Sequence, residues 1–286
     1  MKYENRVVAF IDILGFRSLL SETTDSKDND VESKIEEIVS AYQAIKEIFV
    51  VDESMEKSGI SMSKKVSIFS DCVVVSFKAE EPGEVYYTLL DIKHLIMQLV
   101  YRKILCRGAV SIGKFIHTDD YLFGPALVEA YTLESKAAMY PRVILDRDII
   151  EAGLDNRSMD HPKSHEETYI ESLLGQDSDG MYYIDYFYKA QSELDHPEHD
   201  FPVYIEILGD LIRKGLMGSS HHGKADLRIK YSWMRERYNN MIDVVSDKRK
   251  LMKFRDSGKP ELAVFYESLK KISPHKDNKA LHRTSR

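Results

Sequence analysis

The chain alternates between short runs of β-branched and aromatic residues and longer segments with apolar residues at helical spacing. Residues 6–14, RVVAFIDIL, are apolar almost without interruption and read as a buried strand, which Gly15 breaks. Residues 65–69 and 72–77 are two further runs around Ser70 and Asp71, the pattern of a hairpin with a tight turn. A strand is expected over 105–112, a short hairpin or strand pair over 115–123, and another strand over 142–145. Between them, residues 31–51 place Ile35, Ile38, Val39, Tyr42, Ile45, Ile48 and Phe49 at helical spacing. A second helix follows Glu80-Glu81-Pro82-Gly83, with Pro82 near its first turn and Val85, Leu89, Ile92, Ile96 and Leu99 on one face. Residues 125–139 read as a third. The order β-α-β-β-α-β predicts an α+β fold, a ferredoxin-like antiparallel sheet with helices packed on it.

Beyond Ile150 the periodicity weakens. Residues 21–30 and 52–63 are polar loops, and 155–167, which contain Pro162, read as another. YYIDYFY at 182–188 predicts an extra strand, and 202–216 and 224–245 predict helices, the latter with the lone tryptophan, Trp233. The expected organisation is a core over 1–150, an extra strand and helices packed on it over 151–245, and a helix with a basic, flexible tail over 246–286. No internal repeat or clean linker divides the chain.

Hydrophobic residues make up 43% and charged residues 30%, the balance of a globular domain. No apolar run is long enough for a membrane span, and the N-terminus enters a strand with no signal-peptide pattern, so a cytoplasmic location is expected. Cys72 and Cys106 lie in apolar runs and are read as reduced core residues; no Cys-x-x-Cys is present. The net charge of −7 argues against a general affinity for nucleic acid. Residues 243–286 carry 12 Lys and Arg against 6 Asp and Glu, read as a solvated helix and a frayed end.

Two carboxylates stand out against this apolar background. Asp12 interrupts the first strand and Asp71 sits at the tip of the hairpin. A carboxylate in an apolar strand is costly to bury unless something pairs with it, and two of them suggest convergence on a cation. Gly15, just after Asp12, can turn backbone N–H groups towards phosphate. Other motifs carry less. GAVSIGK at 108–114 nearly fits a phosphate-binding loop, but Phe115 replaces the required Ser or Thr and the interior alternates like a strand. His161, His165, His196 and His199 read as surface residues rather than zinc ligands, and residues 218–222 lack a nucleophile elbow.

FIDILGF and FSDCVVVSF resemble the first and second metal-binding motifs of class III nucleotidyl cyclases. CRGAVSIG resembles that family's Arg-x-Gly strand, and YLFGPALVEAYTLES its Asp-Ile-Trp-Gly strand and following helix. The four segments occur in the family's order over roughly residues 6–150, and their flavour is similar to the bacterial pyrimidine cyclases of Pycsar anti-phage systems. The resemblance implies a homodimer that converts UTP or CTP to the 3′,5′-cyclic mononucleotide and pyrophosphate, a messenger read by a separate effector. It implies two divalent cations, Mg²⁺ or Mn²⁺, held by Asp12, Asp71 and the backbone carbonyl of Ile13. The amides of Leu14, Gly15 and Phe16 would cradle the β- and γ-phosphates. Arg107 would bind phosphate, with a cross-strand ion pair as its alternative role. Ser67 and Tyr121 occupy the base-reading positions, with Asp119 and Asp120 beside the latter. Neither is of the purine-reading type, and tyrosine shrinks the pocket. Two departures stand out: the family's ribose-orienting Asn and transition-state Arg correspond to Val128 and Thr132, so either Glu129, Lys136 or Arg142 substitutes or turnover is slow. The alternatives are an adenylate or guanylate cyclase with unusual base contacts, and a degenerate cyclase-like module that senses nucleotides or dimerises. No Gly-Gly-Asp/Glu-Glu-Phe signature of a diguanylate cyclase is present.

Overall fold

The computed structural model describes residues 1–49, 62–158, 162–219 and 222–274. The expected basic tail beyond 274, most of the 52–63 loop, and His161 lie outside them.

Strand β1 (Glu4–Leu14) is the spine of the sheet. It pairs antiparallel with β3 (Cys72–Lys78) on one side and β4 (Leu105–His117) on the other, and β2 (Lys65–Phe69) closes the edge beyond β3. The order β2-β3-β1-β4 is that of the predicted ferredoxin-like core. The sheet continues through β6 (Val143–Leu145), β8 (Tyr182–Ile184) and β7 (Leu174–Gln176), while β5 (Leu122–Phe123) folds back on the end of β4. β6 runs parallel to β4, the one parallel pairing among the described strands. Residues 6–11 of β1 are all buried, so both faces of the sheet are covered there, which is why the sequence shows a continuous apolar run rather than an alternating one.

Helices α1 (Phe16–Ser21), α2 (Glu32–Phe49), α3 (Glu84–Tyr101) and α4 (Pro125–Lys136) complete the core. α3 packs on β4 and α2 on α3, while α4 lies over β1 and β4. Under α4, Val8, Phe10, Val74 and Phe115 meet Ala126 and Ala130. The small side chains at this i, i+4 pair let the helix approach the sheet closely. Lys64, almost fully buried, bonds Glu84 at 2.8 Å and Asp91 at 2.9 Å and so ties the start of β2 to α3.

The helices not expected from the sequence include α5 (Arg147–Asp155) and α6 (Lys163–Leu173). The latter takes up residues 163–167, the end of the predicted 155–167 loop. Pro162 caps it instead of breaking it, and its buried stripe, Glu166, Ile170 and Leu173, has too few apolar residues to register as periodic. The strand expected over 182–188 is shorter, because Tyr186 and Phe187 turn into the interior and Tyr186 bonds the Pro141 carbonyl at 2.7 Å.

The chain forms two compact units, Met1–Lys189 and Ala190–Arg286. The second is helical: α7 (Pro197–Gly218), α8 (Ala225–Val245), α9 (Lys248–Asp256) and α10 (Pro260–Ser268). α7 and α8 pack together, each burying an i, i+3/i+4 stripe: Phe201, Tyr204, Leu208 and Ile212 on one, Met234, Tyr238, Met241 and Val245 on the other. Asn239 fastens the segment after α10 by two reciprocal bonds with Ile272, at 2.9 and 2.8 Å. No helix among the described residues is long and apolar enough to cross a membrane.

Candidate metal and nucleotide site

Asp12 and Asp71 are brought together by backbone geometry. Asp12 is two residues from the end of β1, opposite Cys72 of β3 and Arg107 of β4. Phe69 and Cys72 pair, so Ser70 and Asp71 form a two-residue turn, with Ser70 in the left-handed region at φ +51°. Ile13 N–H holds the turn against β1 by donating to the Asp71 carbonyl at 2.8 Å, and the Tyr42 hydroxyl ties it to α2 by donating to the Ser70 carbonyl. Ligand atoms of Asp12, Asp71 and Cys72 thus lie within 4.8 Å of one another. Gly15 follows at φ +77°, where a side chain would be strained, and its carbonyl accepts from Ser18 and Leu19 to open α1. Phe16 is buried and meets Tyr42 edge-on at 6.3 Å, which anchors the turn. The Gly15 turn thus follows directly on the strand end that carries Asp12.

The local field is negative. Burial pushes the Asp12 carboxyl up to about 6, with Glu134 and Asp71 adding to the rise and Arg107 opposing it. Arg107 is itself paired with Glu134, a nearly fully buried residue of α4, so the site's cation is held by a third carboxylate. Burial, followed by Asp12 and Asp71, pushes the Cys72 thiol up to about 12. It is therefore protonated at neutral pH and donates weakly towards both carboxylates at 3.8 Å. The hard donors here are carboxylate oxygens at close quarters with a deficit of positive charge, a set that fits Mg²⁺ or Mn²⁺ better than a thiolate-preferring metal. None of the described histidines joins such a group.

The sequence reading missed Glu134 and the special position of Cys72, which is half-buried at the site's edge and not in the core; Cys106 is buried as expected, and both thiols are free. Glu134 left a signal: it continues the Ala126–Ala130 stripe by one more step of four, so the helix's sheet-facing row ends in a charge that needs a partner.

The other expected residues are spread more widely. Ser67 of β2 bonds His117 of β4 at 3.0 Å, a partner the sequence did not reveal. Tyr121 lies in the β4–β5 turn and is 53% exposed, and the turn is closed by Thr118 N–H to the Tyr121 carbonyl at 2.8 Å. Asp119 in the same turn pairs with Lys65 at 3.1 Å. Val128 and Glu129 are exposed on α4, and both line, with Thr132, an apolar cleft of about 680 Å³. Lys136 is exposed. Arg142 is fully buried and paired with Asp177 at 2.6 Å and with Asp179, so it is a structural residue and not a substitute for a transition-state arginine. GAVSIGK lies inside β4, as the strand reading anticipated.

No family model matches the chain, and no curated protein does so. Among solved structures it is similar to a bacterial light-regulated adenylyl cyclase, at 18% identity and a TM-score of 0.37 over 52% of this chain and 79% of that one. It is also similar to a monomeric guanylyl cyclase domain of a fusion protein from the aquatic fungus Blastocladiella emersonii, at 14% and 0.35 over 64% and 96%. A third is a class III adenylyl cyclase-like ATP-binding protein from Pseudomonas aeruginosa, at 14% and 0.37 over 57% and 37%. Likenesses this distant bear on neither substrate nor mechanism.

Proposed function

We propose that this chain is a nucleotidyl cyclase that converts a pyrimidine nucleoside triphosphate, UTP or CTP, to its 3′,5′-cyclic mononucleotide and pyrophosphate. The observation that carries the reading is the convergence of Asp12 and Asp71 at the end of β1, beside the Gly15 turn. Divalent cations bound there would lower the pKa of the ribose 3′-hydroxyl and stabilise the leaving pyrophosphate. Asp12, Asp71 and the Ile13 carbonyl would hold them. The amides of Leu14, Gly15 and Phe16 would orient the β- and γ-phosphates, and Arg107, steadied by Glu134, would face the phosphate charge. Ser67 and Tyr121 would meet the base.

Exposed Tyr3, Phe69, Tyr121, Phe123, Val128 and Tyr131 give this part of the molecule an apolar surface of the kind that a two-fold partner covers. In the proposed homodimer each site takes its carboxylates from one copy and its base contacts from the other. The product would act as a messenger for a separate effector in anti-phage defence, a role resting on the sequence resemblance alone.

A second reading, a nucleotide-binding module without turnover, is favoured by Val128 and Thr132 in place of Asn and Arg and by the burial of Arg142. One experiment separates these and the purine-cyclase alternative: the purified protein is incubated with each of the four nucleoside triphosphates and Mn²⁺, and products are identified by mass. Cyclic UMP or CMP, lost in Asp12→Ala and Asp71→Ala, supports the proposal. Cyclic AMP or GMP moves it to the purine enzymes, and binding without product moves it to the module.

A further inference from the structure

A chain of hydrogen bonds crosses the sheet from Arg6 to Ser67, and it fixes the direction of every proton along the way. Arg6 is buried on β1, and its Nε donates to Ser76 Oγ at 2.9 Å. A guanidinium can only donate. Ser76 is fully buried, and the one acceptor within reach of its hydroxyl proton among the described residues is His117 Nδ1 at 2.7 Å. Were Nδ1 to carry a proton instead, the Ser76 hydroxyl proton would be buried with no acceptor. Nδ1 therefore accepts. Burial, helped by Arg6 and Lys65 and opposed by Asp119, holds His117 down at about 4, so the ring is neutral near pH 7. Its single proton is then on Nε2, which donates to Ser67 Oγ at 3.0 Å. Ser67 accepts from the ring, and its own O–H remains to donate outward from a half-exposed position.

We infer that His117 is a positioning residue that sets Ser67 as a hydrogen-bond donor, so that the site takes a base offering a keto oxygen, uracil O4, in preference to the cytosine amino group. The inference rests on the reading that Ser67 faces the base. An isolated serine hydroxyl turns to suit either pyrimidine; a serine already accepting from an imidazole N–H is poorly placed to accept also from an amino group. His117 itself need not touch the nucleotide.

The test uses 3′-deoxy-UTP and 3′-deoxy-CTP with Mn²⁺, which bind without cyclising, so that affinity is read whether or not the enzyme turns over. Wild type should favour the uridine analogue by about tenfold, the worth of one correctly oriented hydrogen bond. His117→Phe should bring that ratio towards one. Ser76→Ala, a smaller change that leaves the ring free to take its other tautomer, should do the same, and Ser67→Ala should abolish the preference. Long-range ¹H–¹⁵N correlations on labelled wild type should show His117 protonated at Nε2. An Nδ1-protonated ring overturns the inference, as does a wild-type preference for the cytidine analogue. If Ser67→Ala changes the ratio but His117→Phe and Ser76→Ala do not, the serine reads the base without the relay and the inference fails alone. An unchanged ratio in Ser67→Ala shows that the reading of Ser67 as a base contact was wrong.

Discussion

Asp12→Asn separates the stability of the site from its metal chemistry. The substitution keeps the shape of the side chain and removes its charge. In the fold the Asp12 carboxyl is raised from 3.8 to about 6, first by burial and then by Glu134 and Asp71. A rise of that size corresponds to about 3 kcal/mol at most, at ~1.4 kcal/mol per pH unit. Asp12 is only half-buried, so solvent screening reduces the expected penalty to about 1–1.5 kcal/mol. The sign follows from linkage. As pH rises through 3.8 the unfolded chain ionises first, and the folded carboxyl follows near 6. The penalty is absent below the first value, grows between the two and is complete above the second.

In EDTA at pH 8, Asp12→Asn should therefore be more stable than wild type, with a melting temperature higher by roughly 2–6 °C at about 2–4 °C per kcal/mol for a unit of this size. Below pH 4 the two should melt together. Added Mn²⁺ should stabilise wild type by mass action and leave the variant nearly unchanged. A variant less stable than wild type in EDTA at pH 8 would refute the electrostatic account. Equal stabilisation of both proteins by Mn²⁺ would remove Asp12 from the metal site.

His117 is buried neutral, held near 4 against 6.5 for the free side chain, so the fold should lose stability as pH falls from 6.5 to 4, by about 1–2 kcal/mol after screening; denaturant titrations should show a shallower slope in His117→Phe. Arg142→Met removes the charged partner of the buried Asp177 carboxylate and should cost about 3–5 kcal/mol in urea unfolding, whereas Lys136→Ala, at an exposed position, should change stability by less than about 0.5 kcal/mol. Mixing Asp12→Ala chains with a Ser67/Tyr121 double variant should restore one working site per heterodimer; activity that is unaffected by dilution to monomers would contradict shared sites.

The sheet was legible in the sequence because its central strands are buried on both faces. Runs such as RVVAFI and CVVVSF cannot be polar-faced, and the aspartates interrupting them stand out for the same reason. That Asp12 and Asp71 meet was expected because two carboxylates in apolar runs suggest a shared cation, while the register that brings them together, Asp12 opposite Cys72, lies in the pairing of β1 with β3. Other features depended on contacts that no local pattern encodes. α6 has a short stripe built around Glu166, and its capping proline reads as a loop signal. His117 follows a strand-like segment and becomes informative only when the pairing of β2, β3, β1 and β4 sets it against Ser67 and Ser76. Arg142 could be proposed for the site because sequence gives its distance from Gly124 but not Asp177, 35 residues downstream, which claims its guanidinium.

The same strand alternation that delivers Asp12 also argues for sites shared between two copies. Arg6, Val8, Phe10 and Asp12 share one face of β1, and the row on β3 opposite them runs Lys78, Ser76, Val74 and Cys72. Ser67 on β2 is level with Val74, and hence with Phe10. It is thus two strands across and two residues along from Asp12, an in-plane separation of about 12 Å from strand spacings of ~4.8 Å and rises of ~3.4 Å. The ground between them is not open. α4 packs over β1 and β4, and its Ala126 and Ala130 share a buried cluster with Phe10 and Val74. A nucleotide that needed the space under that helix to reach the serine of the same chain would have to displace it. Removing α4 from its seat would expose Val8, Phe10 and Phe115, three large buried side chains at roughly 1.5–3 kcal/mol each, far more than one base contact returns. The helix stays in place, and in the proposed homodimer the base contact for a nucleotide held at Asp12 comes from the second copy.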